Sequence, residues 1–297
     1  MHINLDGNDG IIQSVNLMRL KNHKAIHHLD KLLSNKLKGH FNSLNEIHIS
    51  NCTLHNEDYL SLKNIFSQCN KISTIELNSN HINSTNANNL FNELSKNHLK
   101  SFVFTDNWIG NKISSDFFDF LSIQQEIMHL DFSLNWLMDL GIANLMKSIN
   151  TNIVKLNLSC NDFHSDGMMA ISNFASNFPN LSELDVSYNH LDIASANYIA
   201  KLIKENNSIK SINVSSNVLT DGSAAIIAEA LSQNTNAICL DVSDNKITNT
   251  GAKFLIESVI DGGVIRELNL KYNPIKQDQL RTLIQQITKK FPVSILI

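Results

Sequence analysis

Leu181-Ser182-Glu183-Leu184-Asp185-Val186-Ser187-Tyr188-Asn189-His190-Leu191 reads L-x-x-L-x-L-x-x-N-x-L. The same pattern recurs along most of the chain, and its asparagine serves as a phase marker. The marker falls at Asn80, Asn107, Asn135, Asn161, Asn189, Asn217, Asn245 and Asn273, with Cys52 in the same place in the first clear copy. Successive steps are 28, 27, 28, 26, 28, 28, 28 and 28 residues, so nine copies keep phase with almost no insertion.

The apolar positions before each marker agree. They are Leu44, Ile47 and Ile49; Ile72, Ile75 and Leu77; Leu99, Phe102 and Phe104; Ile127, Leu130 and Phe132; Ile153, Leu156 and Leu158. The series continues with Leu181, Leu184 and Val186; Ile209, Ile212 and Val214; Ala237, Leu240 and Val242; Ile265, Leu268 and Leu270. Each trio contains a period-2 pair, the mark of a short strand with one buried face. A turn and an amphipathic stretch follow each marker. In one copy Thr220-Asp221-Gly222 leads into Ser223 to Leu231, and Thr220 or Asp221 is placed to cap that helix. Gly141, Gly167, Gly222 and Gly251 fall near helix starts, where close backbone approach is expected. One strand-turn-helix unit cannot bury its own apolar face, so stacked neighbours must do it together.

A repeat near 28 residues with a full helix resembles the ribonuclease-inhibitor type of leucine-rich repeat, over roughly residues 40–290. The resemblance implies an α/β solenoid, a horseshoe with a parallel sheet on the concave face and helices on the convex face. It also implies that the marker asparagines bond turn backbone inside the solenoid. We expect one domain over residues 1–297: an N-terminal cap at 1–43, nine repeats at 44–290 and a C-terminal cap strand at 291–297. In the first cap, Ile12, Val15 and Leu17 predict a preliminary strand, and the spacing predicts a helix over Ala25–Leu37. At the far end, Val293 and Leu296 keep the phase of Ile265 and Leu268, which predicts a last, apolar edge strand open to self-association.

Composition narrows the function. A net charge of −4 gives no general attraction to nucleic acid, and Arg19, Arg266 and Arg281 are the only arginines. Cys52, Cys69, Cys160 and Cys239 are widely spaced and are expected as free thiols. The start of the chain lacks the apolar core of a signal peptide, and no apolar run reaches transmembrane length. The expectation is a chain that folds in a cytosol.

Columns of equivalent positions run across the sheet, about 4.8 Å apart per strand. The central one is His48, Glu76, Val103, Asp131, Asn157, Asp185, Asn213, Asp241 and Asn269. Its flanks carry mostly hydroxyls on one side and Glu46, His129, Lys155, Glu183, Cys239 and Glu267 on the other. Asp131, Asp185 and Asp241 are either the usual filling of such a repeat or part of a shallow acidic face for a basic partner. Trp108 and Trp136 each directly follow a marker in adjacent repeats, and Leu134, Tyr188 and Tyr272 directly precede one. The scaffold does not demand these side chains, since other copies hold His81, Val218 or Lys246 after the marker. Large exposed aromatics are typical binding anchors. We therefore expect a contact patch of Trp108, Leu134, Trp136 and Tyr188, with packing into the local loop as the other reading.

No convergent catalytic cluster is legible. His48 adjoins Glu76 without a nucleophile, and Cys160 lacks a histidine to activate it. His23 and His27 stand four apart on the cap helix, but no H-E-x-x-H pattern or third ligand accompanies them. The expectation is a non-enzymatic protein-interaction module with no metal and no cofactor. Composition and compactness resemble the leucine-rich-repeat effectors of Legionella, which implies delivery into a host cell and binding of a host cytosolic protein. The alternative is a GTPase-activating protein, because the Ran-activating family shares this repeat type. That family supplies an arginine from an early loop; here Arg19 alone lies near the N-terminus, and its surroundings do not match.

Overall fold

The computed structural model describes residues 13–18, 26, 43–110, 113–176, 178–236, 238–262 and 265–297. The expected cap helix over Ala25–Leu37, with His23, His27 and His28, lies outside these residues apart from the buried Ile26. Ile12 and Arg19 lie outside them too. The chain forms two compact units, residues 1–136 with 148–153, and residues 137–147 with 154–297.

In the first unit β1 (Ser14–Met18), β2 (Glu46–Ser50), β3 (Thr74–Asn78), β4 (Ser101–Val103) and β5 (His129–Asp131) pair in chain order, all parallel. Parallel neighbours need a crossover. Helices α1 (Asn56–Gln68), α2 (Ser84–Phe91) and α3 (Ser115–Ile123) supply it. The preliminary strand is present: Val15 and Leu17 are buried and register with Ile47 and Ile49.

The second unit begins with α4 (Met138–Ser148) and repeats the scheme. Its strands are β6 (Lys155–Asn157), β7 (Glu183–Asp185), β8 (Ser211–Asn213), β9 (Ile238–Asp241), β10 (Ile265–Asn269) and β11 (Ser294–Leu296), again parallel and in order. Between them lie α5 (Ser165–Ala175), α6 (Ile193–Glu205), α7 (Asp221–Ser232), α8 (Asn249–Gly262) and α9 (Gln277–Lys290). Strand follows helix in every repeat, the α/β solenoid architecture.

Register departs from the sequence reading at the last strand. Ile295, not Leu296, stands opposite Leu268, and Leu296 stands opposite Asn269. A one-residue slip swaps the faces of a strand. The slip is tolerated here because neither residue is fully buried.

The cores of the units differ in kind. Phe91, Phe102, Phe104, Phe117, Phe120 and Phe132 fill the first, with Phe91 centred 5.1 Å from Phe102 and 5.2 Å from Phe104. In the second, Ala196, Ala224, Ala228 and Ala252 are buried on α6 to α8 among leucines and isoleucines.

The marker asparagines tie one repeat to the next. Asn107 accepts from the N–H groups of Asn80 (3.2 Å) and Ile82 (3.1 Å) and donates to the Leu77 carbonyl at 2.7 Å. Cys52 substitutes in part: its thiol faces the carbonyls of Ser50 (3.4 Å) and Leu17 (3.8 Å), as a weaker donor. The residue before each marker adopts positive φ in all nine copies, from Asn51 (56°) to Tyr272 (60°), without a glycine. Left-handed backbone costs a residue with Cβ about 1–2 kcal/mol. The turn recovers part of that by bonding across repeats, as in Tyr188 N–H to the Ser215 carbonyl at 3.0 Å.

Helix starts are also tied across repeats. Thr220 N–H donates to the Ser223 hydroxyl oxygen at 3.2 Å, within its own helix. Asp221 instead reaches forward, accepting from Thr248 N–H at 2.7 Å and Gly251 N–H at 3.1 Å. Asp139 does the same for His164 (2.8 Å) and Gly167 (2.7 Å). This explains two of the four glycines. A Cβ at Gly251 would lie 2.5 Å from Asp221 Oδ1 and 2.9 Å from its Cα; at Gly167 it would meet Phe163 at 2.6 Å and Asp139 Oδ1 at 3.0 Å. Gly251→Ala is expected to cost about 2 kcal/mol by overpacking, and Asp221→Ala about 1 kcal/mol by loss of a cap. A urea-denaturation cycle should show the double variant losing less than the sum. Strict additivity would mean the two residues do not share one contact.

Candidate functional site

On the open face of the first unit, Glu46, His48 and Glu76 form a chain of polar contacts. His48 Nδ1 lies 2.8 Å from Glu76, and its Nε2 lies 3.4 Å from Glu46. The expected His48–Glu76 pair is present, and the imidazole is held between two carboxylates. Asp131 is half-buried; its Oδ1 accepts from the Ser133 N–H at 2.9 Å and hydroxyl at 2.7 Å. The described lysines of this unit, Lys63, Lys71, Lys96 and Lys100, lie on helices or on loops entering strands. Among the described residues the formal charges on this open face are therefore all negative.

Three residues of the expected patch belong to this unit. Trp108 and Trp136 are 60% and 61% exposed, and Leu134 is 46% exposed. Leu134 and Trp136 sit at φ 60° and 59°, so the turn, not a packed core, sets where they project. Trp108 is seated more firmly. Its N–H donates to the Ile82 carbonyl at 3.2 Å, and its ring lies 4.6 Å from that of His81 at 55°. That ring contact is the local packing alternative realised in part; most of the indole remains in solvent.

In the second unit the Asp/Asn alternation has a structural cause. Asp185 Oδ1 accepts from the Ser187 N–H and hydroxyl at 2.9 and 2.6 Å, while Oδ2 accepts from the Asn213 amide at 2.9 Å. Asp241 repeats this with Ser243 and Asn269. An acid followed by an amide lets one residue accept and the next donate, which two adjacent carboxylates could not do. Lys155 is paired with Glu183 at 2.8 Å. Tyr188 and Tyr272 stand out from this face, 61% and 83% exposed.

A groove that the sequence reading missed opens in the first unit beside Trp108. It measures about 550 Å³ and is lined by Leu54, His55, Asn56, Glu57, Tyr59, His81, Asn83 and Asn86. It lies at the N-terminal ends of α1 and α2, where two loops meet. Its residues share no motif, because 27 positions separate the matching ends of its two halves, Leu54–Tyr59 and His81–Asn86. Only the repeat phase could have aligned them.

The thiols are poorly suited to nucleophilic chemistry. Burial pushes Cys69 up to about 12. Burial and then the Asp185 carboxylate raise Cys160; burial and then the Glu267 carboxylate raise Cys239. A thiol above its ordinary range is less ionised at neutral pH and so a weaker nucleophile. Among the described residues no group of three or more His, Cys, Asp or Glu side chains is placed to hold a metal ion. No described helix is long and apolar enough to cross a membrane.

A model of the Leucine Rich repeat family matches residues 150–172 and 233–255. Two solved structures share the fold. An internalin (inlF) from Listeria monocytogenes is 15% identical, with a TM-score of 0.51, covering 86% of this chain and 67% of that one. A chain of the yeast Rad7 and Elc1 complex is 13% identical, also with a TM-score of 0.51, covering 95% of this chain and 73% of that one. No curated protein matches the sequence. At such identities the likeness is one of fold. With the repeat ladder, these matches support a leucine-rich-repeat fold for the chain.

Proposed function

We propose that this leucine-rich-repeat chain, of the ribonuclease-inhibitor type and forming a single repeat domain, is a protein-interaction module without catalytic activity of its own. It acts as a bacterial effector, delivered into a host cell, that binds a host cytosolic protein with a basic surface. One observation carries the reading. Trp108, Leu134 and Trp136 in the first unit, and Tyr188 and Tyr272 in the second, are exposed at positions that mostly hold polar side chains elsewhere in the repeat. Burying such anchors is what drives binding at protein interfaces. Asp131, Asp185 and Asp241 contribute the negative field around them, although hydrogen bonds within the sheet already occupy their oxygens.

The test is affinity capture from eukaryotic cytosol with mass spectrometry, comparing wild type with the Trp108→Ala/Trp136→Ala variant. Two anchors of about 2 kcal/mol each predict a loss of affinity of roughly a hundredfold or more for the protein that wild type retains. Equal retention by a folded double variant would remove the tryptophans from the site. Capture of nothing by wild type would count against the module itself.

A further inference from the structure

We propose that the groove beside Trp108 receives an arginine side chain carried on an extended segment of the protein partner. This rests on the interaction-module reading and names the chemistry of one contact within it. The groove holds about 550 Å³, ample for a side chain and its flanking backbone. Two aromatic rings line it, Tyr59 and His81, and Trp108 lies against His81 at 4.6 Å. Glu57 is the one formally charged residue of the lining, exposed in the first turn of α1, and no described lysine or arginine pairs with it. Asn83 and Asn86 add side-chain amides able to meet a partner's backbone.

Charge and shape select the occupant together. A carboxylate and the rings of Tyr59 and His81 in one lining suit a cation, since a planar guanidinium can stack on a ring while it bonds a carboxylate. The lining holds no lysine or arginine, so no cation of the lining competes. An acidic or phosphorylated segment would instead be repelled by Glu57. Trp108 is already seated by its backbone bond to Ile82 and by His81, so binding orders little.

The two tryptophans permit a direct readout, because Trp136→Phe leaves Trp108 as the sole indole. Its emission is followed while titrating a synthetic nonapeptide, Gly-Ser repeats around a central Arg-Arg. A second peptide replaces both arginines by citrulline, the neutral isostere. The expected result is a saturable change with the arginine peptide, at least tenfold weaker with citrulline. Glu57→Gln should weaken the arginine peptide at least threefold and leave the citrulline peptide unchanged. No saturable change, equal binding of the two peptides, or indifference to Glu57→Gln would each overturn the proposal. Attraction to the acidic face at large would appear as binding that Glu57→Gln does not alter. The module reading is judged separately. A cytosolic partner held equally by wild type and Glu57→Gln, but lost by Trp108→Ala/Trp136→Ala, overturns the groove and leaves the module standing.

Discussion

Phe91→Ala is expected to destabilise the first unit by about 4 kcal/mol, the largest effect of any single truncation there. Phe91 ends α2 and is fully buried. Its ring meets Phe102 at 5.1 Å and 80°, Phe104 at 5.2 Å and 79°, and Phe120 at 5.6 Å and 16°. Removing it opens a cavity between helix and strands and ends several ring contacts, each contributing about 0.5–1.5 kcal/mol. Phe91→Leu keeps most of the volume and should cost about 1–1.5 kcal/mol. Urea denaturation gives the totals, and amide exchange gives the place. Repeats contact only their neighbours, so exchange should rise in β3 to β5 and stay low in β7 to β10. A loss below about 1 kcal/mol for Phe91→Ala would show that the cluster collapses onto the gap and that its rings are not individually decisive.

Asn189→Ala should cost about 3 kcal/mol, although the side chain it removes is small and polar. Asn189 is 5% exposed. Its oxygen accepts from Asn161 N–H at 2.9 Å, and its amide faces the carbonyls of Leu158, Val186 and Ser187 at 3.2, 3.0 and 2.9 Å. Alanine would leave backbone groups of two consecutive repeats buried without these partners. Each such group costs about 1–3 kcal/mol, offset where a neighbour or water can approach. Asn273 is the comparison. Its amide meets the equivalent carbonyls of Val242, Leu270 and Lys271 and its oxygen accepts from Ile247 N–H, but it is half-buried, so Asn273→Ala should cost less than half as much. Equal losses at the two sites, in urea melts under one condition, would mean that burial does not set the cost.

Much of the fold was legible because a 28-residue period repeats every decision. Inward positions such as Leu184 and Val186 follow from the period, and the role of the marker asparagines from the resemblance that the period supports. A second amide series also keeps phase, without a motif of its own. Asn97, Gln124, Asn150, Asn206 and Asn234 are buried where helices end. Asn97 donates to the Cys69 carbonyl at 3.0 Å and Asn206 to that of Ala175 at 2.8 Å; Asn234 donates to that of Ile203. Asparagine is common throughout this chain, and here it shares its place with glutamine, so the signal was diluted. The candidate site was legible in part. Exposed Trp108 and Trp136 stood out by rarity, while the groove joining His81, Glu57 and Asn86 did not.

The sequence by itself determined the order of strand, turn and helix, the inward faces of the strands and the identity of the buried markers. These depend on local period and on the need to bury apolar side chains, and both are written in each copy. Tertiary structure alone decided which repeat each polar group serves. Asp221 caps the following helix and not its own, Asp185 satisfies Asn213 one strand on, and a cysteine at position 52 turns its thiol to the carbonyl of Leu17. Tertiary structure also set the left-handed turns at Leu134, Tyr188 and Tyr272, which no glycine announces. The physical reason is the same in each case. A hydrogen bond between neighbouring repeats depends on how the coils stack in three dimensions, and residues 28 apart carry no local mark of having been brought together.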